Sequence, residues 1–271
     1  MSQRPHAPLG TEPTQDHNAG PPGWRAAVGK RIAIAVALTV MLCWAFAAIA
    51  DEIPENSRMV HGDSAITLWL QHHSTEWGET LFSVVSLFGS VILYAVAIAA
   101  VIFYLVRRDR LRAATVAVAS VSVIILNNAL KLIFHRGRPE YASEFIHRQS
   151  WSFPSGHAMD SLVVYGILTC LLLETPFGAR WRRTITAVAA VLVLLVGYSR
   201  VYLGVHYTSD VIGGWLAGGV CLIIAINSYH LAARRSGGAV RQREREGGAR
   251  RGRANEEQLA SVGFGDPPRD R

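Results

Sequence analysis

The run IAIAVALTVMLCWAFAAIA, Ile32 to Ala50, has 19 residues, no charge and only Thr39 as a polar side chain. At about 1.5 Å of helical rise per residue it matches a bilayer's hydrocarbon core, roughly 30 Å thick. A helix that is apolar on every face must be covered all round, and lipid does this most simply. Five further apolar stretches follow, at roughly 81–106, 113–134, 158–173, 184–198 and 211–232. The fourth and fifth are short and lean on polar ends, as spans do when a site lies at the membrane surface. The expected fold is therefore all-α: a polytopic membrane protein whose six transmembrane helices form a helical bundle.

Positive charge orients the bundle. Arg25, Lys30 and Arg31 precede the first span, and Arg107, Arg108, Arg110 and Arg112 lie between the second and third. Arg180, Arg182 and Arg183 separate the fourth from the fifth, and Arg234 and Arg235 follow the sixth. These are alternate loops, so they share one side, which the positive-inside rule makes the cytoplasm. Both termini are then cytoplasmic, and the opposite loops, of which the first carries Asp51, Glu52, Glu55, Asp63, Glu76 and Glu79, are extracytoplasmic. The net charge of +7 follows from this topology, so it gives no reason to expect a nucleic-acid partner. The stretch AIADE, 48–52, resembles a signal-peptidase site, and cleavage there stays open as an alternative to a retained first span.

The expected organisation is a disordered cytoplasmic segment at 1–29, a membrane domain at 30–233 and a disordered basic cytoplasmic tail at 234–271. Cys43, Cys170 and Cys221 fall one per span, without a CxxC pair, and read as small core residues.

Polar chemistry collects in the outward loops. KLIFHRGRPE places Lys131 and Arg138 seven residues apart, two turns of helix if the helix continues, although Gly137 and Pro139 suggest that it ends nearby. FPSGHAMD places Ser155 as an N-cap, Gly156 where a backbone can approach a ligand, and His157 at a helix start, which is an anion site. YSRVYLGVHYTSD supplies Arg200, His206 and Asp210. Each piece alone has a structural reading: a snorkelling cation, a helix cap, a structural His–Asp hydrogen bond. Together they fall on three loop ends that the charge rule independently places on one side.

Three cations and preorganised N–H donors suit a phosphate dianion. Two histidines suit an attacker and a proton donor, and Asp210 can hold one nitrogen of His206 while leaving the other free. That is a phosphoryl-transfer constellation without an HExxH, a carboxylate cluster or a GxxxxGKS loop. His61, His72, His73, His135 and His147 read as surface histidines outside it.

The segments KLIFHRGRP, PSGH and SRVYLGVHYTSD resemble, in order, the three signature segments of the type 2 phosphatidic acid phosphatase superfamily, in its membrane-bound lipid phosphatase branch. The resemblance spans the third to the sixth helix. It implies metal-independent hydrolysis through a phosphohistidine, with no cofactor. It also implies roles: His206 as nucleophile, Asp210 as its orienting partner, and His157 as acid for the leaving group. Lys131, Arg138, Ser155, Gly156 and Arg200 would hold the phosphate. Glu140, which follows RGRP in place of a base, is where head-group contacts would differ.

An outward site at the membrane surface implies a lipid phosphate substrate, and polyprenyl pyrophosphate, phosphatidic acid and phosphatidylglycerol phosphate all fit. The fourteen residues from Glu140 to Phe153 leave little material for a head-group domain and mildly favour a small exposed phosphate. Three alternatives stand beside this reading. Soluble vanadium-dependent haloperoxidases share the signature, but six spans argue against them. A lipid phosphotransferase of the same fold would use the same site. A transporter would also place charges among spans, yet has no use for a Ser-Gly-His helix start facing a His–Asp pair. The oligomeric state is not set by these features.

The loop charges generate a first prediction. In a cysteine-free background, a cysteine at Gln149 reacts with an impermeant thiol reagent on intact cells. Labelling that requires lysis overturns the outward placement of this loop.

Overall fold

Among the described residues, six stretches are long and apolar enough to cross a membrane: Gly29–Glu52, Glu76–Val106, Arg110–Phe134, Gly156–Leu173, Arg182–Tyr202 and Thr208–Arg235. The computed structural model describes residues 24–53, 58–139 and 150–262 and has no strand among them. The helices are α1 (Trp24–Glu52), α2 (Arg58–His72), α3 (Glu76–Leu87), α4 (Val91–Val106), α5 (Arg110–Phe134), α6 (Gly156–Leu173), α7 (Pro176–Arg180), α8 (Arg182–Tyr202) and α9 (Thr208–Val262). The protein is a multi-pass membrane protein, and each expected span lies within one of the observed ones.

The centre is α6, whose residues Ala158, Met159, Val163, Val164, Ile167 and Leu171 are buried. It packs on α9 through glycines. A Cβ on Gly214 would stand 2.6 Å from the Ser155 carbonyl oxygen, and one on Gly218 would stand 3.0 Å from that of Met159. The two backbones touch here, an approach that only small residues permit. Just before the N-terminal end of α6, Phe153 is fully buried, with Phe46 of α1 and Phe134 of α5 at ring distances of 5.4 and 5.2 Å. This aromatic cluster seats the connection that leads from α5 into α6.

The second span departs from expectation. Instead of one helix over 81–106 it consists of α3 and α4, separated by a turn at 88–90. The carbonyl this exposes at Phe88 accepts a hydrogen bond from the Tyr165 hydroxyl at 2.6 Å, which satisfies a group that lipid could not. The ring of His157 and the Val196 side chain pack against Gly89 in that turn. The break therefore lies directly against the N-terminal end of α6.

Helix α2 is an addition to the expected fold. It lies between the first two spans and buries Asp63, Thr67 and Leu70 while exposing Ile66, Leu68 and Trp69. Spacings of four and three residues put the buried three on one helical face.

The described helices reach into both segments expected to be disordered. Helix α1 begins at Trp24, inside the segment 1–29; residues 1–23 lie outside the described residues. Helix α9 continues to Val262, well past the expected boundary at 234; residues 263–271 lie outside the description. Extending a helix that is already formed avoids the nucleation step, and the tail is rich in Arg, Glu, Gln and Ala, which favour helix. Cys43 is also not a core residue: it is exposed on α1, while Cys170 and Cys221 are half-buried, and all three are free thiols. Glu140, His147 and Gln149 lie outside the described residues.

Candidate active site

The C-terminal ends of α5 and α8 meet the N-terminal ends of α6 and α9 at one surface of the bundle. Helix α5 stops at Phe134, and His135 takes a left-handed conformation with φ 45° while its N–H bonds the Lys131 carbonyl oxygen at 3.2 Å. The helix thus does not run on from Lys131 to Arg138. The turn at His135 redirects the chain, and Arg138 reaches the site from the irregular segment that follows. Its Nη2 donates to Ser150 Oγ at 2.9 Å, and Lys131 Nζ approaches the same oxygen at 3.4 Å. The two cations converge without sharing a helix face.

After α8 the chain reverses at Gly204, whose φ of 65° suits a residue without a Cβ. The reversal brings the His206 N–H to the Arg200 carbonyl oxygen at 3.2 Å. Arg200 Nη1 donates to Ser86 Oγ of α3, while its Nε is buried without a hydrogen-bond partner. The backbones of Arg200 and His206 are therefore tied together, and one guanidinium N–H remains to be satisfied.

His206 is buried and spans two environments. Its Nδ1 lies 3.3 Å from Asp210 Oδ2, and its Nε2 lies 3.4 Å from Arg138 Nη1. Asp210 Oδ2 also accepts from the Tyr207 N–H at 2.9 Å and from the Ser152 hydroxyl, and its Oδ1 accepts from Arg136 Nη1 at 2.6 Å. A carboxylate this well supplied with donors fixes Nδ1 as the protonated nitrogen and leaves the lone pair on Nε2. Burial drives the His206 pKa down to about 3 against the opposing pull of Asp210, so the ring is neutral at ordinary pH. Burial also lowers the pKa of Arg138, though Asp210 opposes the shift. At Arg136 burial works the same way, but Asp210 and Asp63 outweigh it and raise its pKa.

Ser155 occupies the N-cap position of α6, as expected, but its side chain makes no capping hydrogen bond. Its Oγ is buried and unpartnered, while its N–H bonds the Asp210 carbonyl oxygen at 2.9 Å. The first intrahelical bond runs from the Met159 N–H to the Ser155 carbonyl oxygen at 3.1 Å, so the N–H groups of Gly156, His157 and Ala158 open at the helix start. Arg200, His206, Lys131 and Arg138 all lie within electrostatic range of the His157 ring. All eight residues singled out in the sequence thus gather at one place. Buried orphan donors, open backbone N–H groups and three cations around a neutral imidazole are an arrangement that suits an oxyanion.

Four participants were not read from the sequence. Arg136 is one of two arginines in HRGRP, and nothing local separates it from Arg138; Ser152 carries no motif; Asp63 reads only as loop charge; Asn127 is a lone amide on α5. Asn127 is buried beside Gly156, where a Cβ would come within 3.1 Å of its Oδ1. The four-residue and seven-residue spacing of Asp63, Thr67 and Leu70 could have marked a buried helix face. No sequence signal pairs Asp63 with Arg136, 73 positions away.

The sequence model of the PAP2 superfamily matches residues 112–234. The phosphatidylglycerophosphatase B of Bacillus subtilis (strain 168) is 42% identical over 95 residues, 35% of this chain and 46% of its own length. An undecaprenyl-diphosphatase of Sulfolobus acidocaldarius is 37% identical over 118 residues, 41% of this chain and 52% of its own. The chain thus spans about half the length of the curated relatives it matches. Among solved structures, the crystal structure of a transmembrane PAP2 type phosphatidylglycerolphosphate phosphatase from Bacillus subtilis superposes with a TM-score of 0.63 at 29% identity, covering 70% of this chain and 94% of that one.

An oxyanion site of this kind makes a prediction independent of turnover. Inorganic orthophosphate raises the melting temperature of the detergent-solubilised protein in a saturable way. Arg200→Lys weakens that affinity by about tenfold, because an ammonium cannot reproduce the forked N–H pair. Equal affinities in the two proteins, or no shift with the wild type, rule out this use of Arg200.

Proposed function

We propose that this chain, which carries a PAP2 superfamily domain at residues 112–234, hydrolyses a lipid phosphate or pyrophosphate at the extracytoplasmic membrane surface through a phosphohistidine intermediate and without a metal. The observation that carries the reading is the orientation of His206: Nδ1 on Asp210, Nε2 among the cations.

The steps follow from that orientation. His206 Nε2 attacks phosphorus, and the bond from phosphorus to the lipid oxygen breaks as His157 gives that oxygen a proton. Positive charge that develops on the imidazole is balanced by Asp210. Lys131, Arg138, Arg200, Ser155 and the N–H of Gly156 hold the phosphoryl oxygens throughout. Water then attacks phosphorus, His157 takes its proton, and the P–N bond breaks to release phosphate and restore neutral His206. Because the cations are supplied by side chains, a chelator such as EDTA is expected to leave turnover intact.

Two relatives named for a phosphatidylglycerophosphatase and an undecaprenyl-diphosphatase support a phosphate or diphosphate at the head of a lipid as the substrate class. Polyprenyl pyrophosphate, phosphatidic acid and phosphatidylglycerol phosphate form the panel to assay. The orientation rests on the arginines at the opposite end of the bundle: Arg107, Arg108, Arg110, Arg180, Arg182 and Arg183 lie at the helix ends remote from this site.

The two histidines are separated by leaving group. His206→Ala loses hydrolysis of every substrate, because no phosphoenzyme forms. His157→Ala is severe for a lipid phosphate but at least about tenfold milder for p-nitrophenyl phosphate, whose leaving group needs no proton. kcat/KM for both variants on both substrates decides the assignment: equal losses for His157→Ala, with activity retained by His206→Ala, reverse the roles.

A further inference from the structure

Behind Asp210 the site continues into a buried charge network that reaches a different element of the fold. Arg136 donates from Nη1 to Asp210 Oδ1 at 2.6 Å and from Nη2 to Asp63 Oδ2 at 2.9 Å. Asp63 belongs to α2, outside the membrane-spanning helices and N-terminal to the PAP2 domain. It also accepts from the Ser209 N–H at 3.0 Å and from the Ser209 hydroxyl, one residue before Asp210. Ser209 Oγ in turn lies 2.6 Å from Arg136 Nη1. The Arg136 guanidinium lies over the Tyr207 ring at 4.3 Å, which fixes its plane. Arg136, Asp63 and Asp210 are all buried, with 7%, 5% and 0% of their surfaces exposed, so water shields none of these charges.

A guanidinium held by one carboxylate alone would draw strongly on that carboxylate. Here it is divided between two. Its plane and its distance from Asp210 are set jointly by Asp63 and Tyr207, and the backbone that carries Asp210 is set by Asp63 through Ser209. We infer that Asp63 is a positioning residue for catalysis: acting through Arg136 and Ser209, it fixes the place and the charge of Asp210, so that docking of the extramembrane helix α2 is a condition for an active His206. The inference rests on the phosphatase reading above. It adds to that reading a dependence on a segment outside the matched domain.

Simple structural support and action through Asp210 give different results in a double-mutant cycle. Asp63→Asn, Asp210→Asn and the double variant are purified in detergent and assayed on the lipid-phosphate panel, with folded fraction measured by size exclusion and thermal melting. Asp63→Asn is expected to lower kcat about tenfold with KM within about twofold, because the phosphate holders are untouched. In the Asp210→Asn background the same change costs less than about twofold, because the path through Asp210 is already broken. If Asp63→Asn cannot be recovered folded, Arg136→Lys carries the test, since an ammonium keeps the charge but cannot reproduce the guanidinium's fork between the two carboxylates. It is expected to show the same loss in kcat and the same absence of effect in the Asp210→Asn background. Losses that multiply independently in the two backgrounds, losses that track the folded fraction, or an unchanged kcat overturn the coupling while leaving the phosphatase reading in place. Wild-type protein that releases phosphate from no member of the panel overturns the phosphatase reading and the coupling with it.

Discussion

An ionised carboxylate buried in a membrane protein is tolerable only when every lone pair is occupied, and Asp210 sets that condition for one whole end of the bundle. Its partners come from three places: Ser152 and Arg136 in the segment between α5 and α6, the Tyr207 N–H at the start of α9, and His206 in the turn before it. Removing one partner of such a buried pair costs about 3–5 kcal/mol, because the remaining charge stays out of water. The requirement extends outward, since Arg136 needs a second carboxylate and finds it in Asp63. Satisfying one side chain therefore organises four separate stretches of chain.

The bundle delivers those stretches to one point by letting helices come unusually close. Gly214 and Gly218 bring α9 against the backbone of α6, and the Ser155 N–H then reaches the Asp210 carbonyl oxygen at 2.9 Å. The break between α3 and α4 serves the same end, for it sets Gly89 against the His157 ring and Ser86 beside Arg200. Tyr165, on α6, carries the cost of that break by bonding the freed Phe88 carbonyl.

The opposite end of the bundle is held differently. Arg112 on α5 donates to Glu174 at 2.9 Å, and Tyr229 on α9 donates to the same carboxylate at 2.6 Å, joining α5 and α9 at the C-cap of α6. These groups are partly exposed, so the contact contributes at most about 1 kcal/mol. It ties helix ends together at a partly exposed surface, whereas the network at the other end is buried.

What the amino-acid sequence determined by itself was whatever depends on local pattern. Uncharged runs of helical length specify spans, and arginines in alternate loops specify their shared side, because both are properties of short segments meeting lipid. The eight candidate residues could be singled out for a similar reason: Lys131, Arg138, Ser155, Gly156, His157, Arg200, His206 and Asp210 lie in short motifs whose residue types suggest chemistry. Tertiary structure alone decided the rest. The left-handed turn at His135, not helical spacing, carries Arg138 to the site. The broken second span is tolerated because a tyrosine 77 positions away satisfies it. Asp63 and Arg136 become partners of Asp210 only when helices distant in sequence exclude water between them. A buried charge must then find its counter-ion wherever the fold places one, and no local periodicity records that choice.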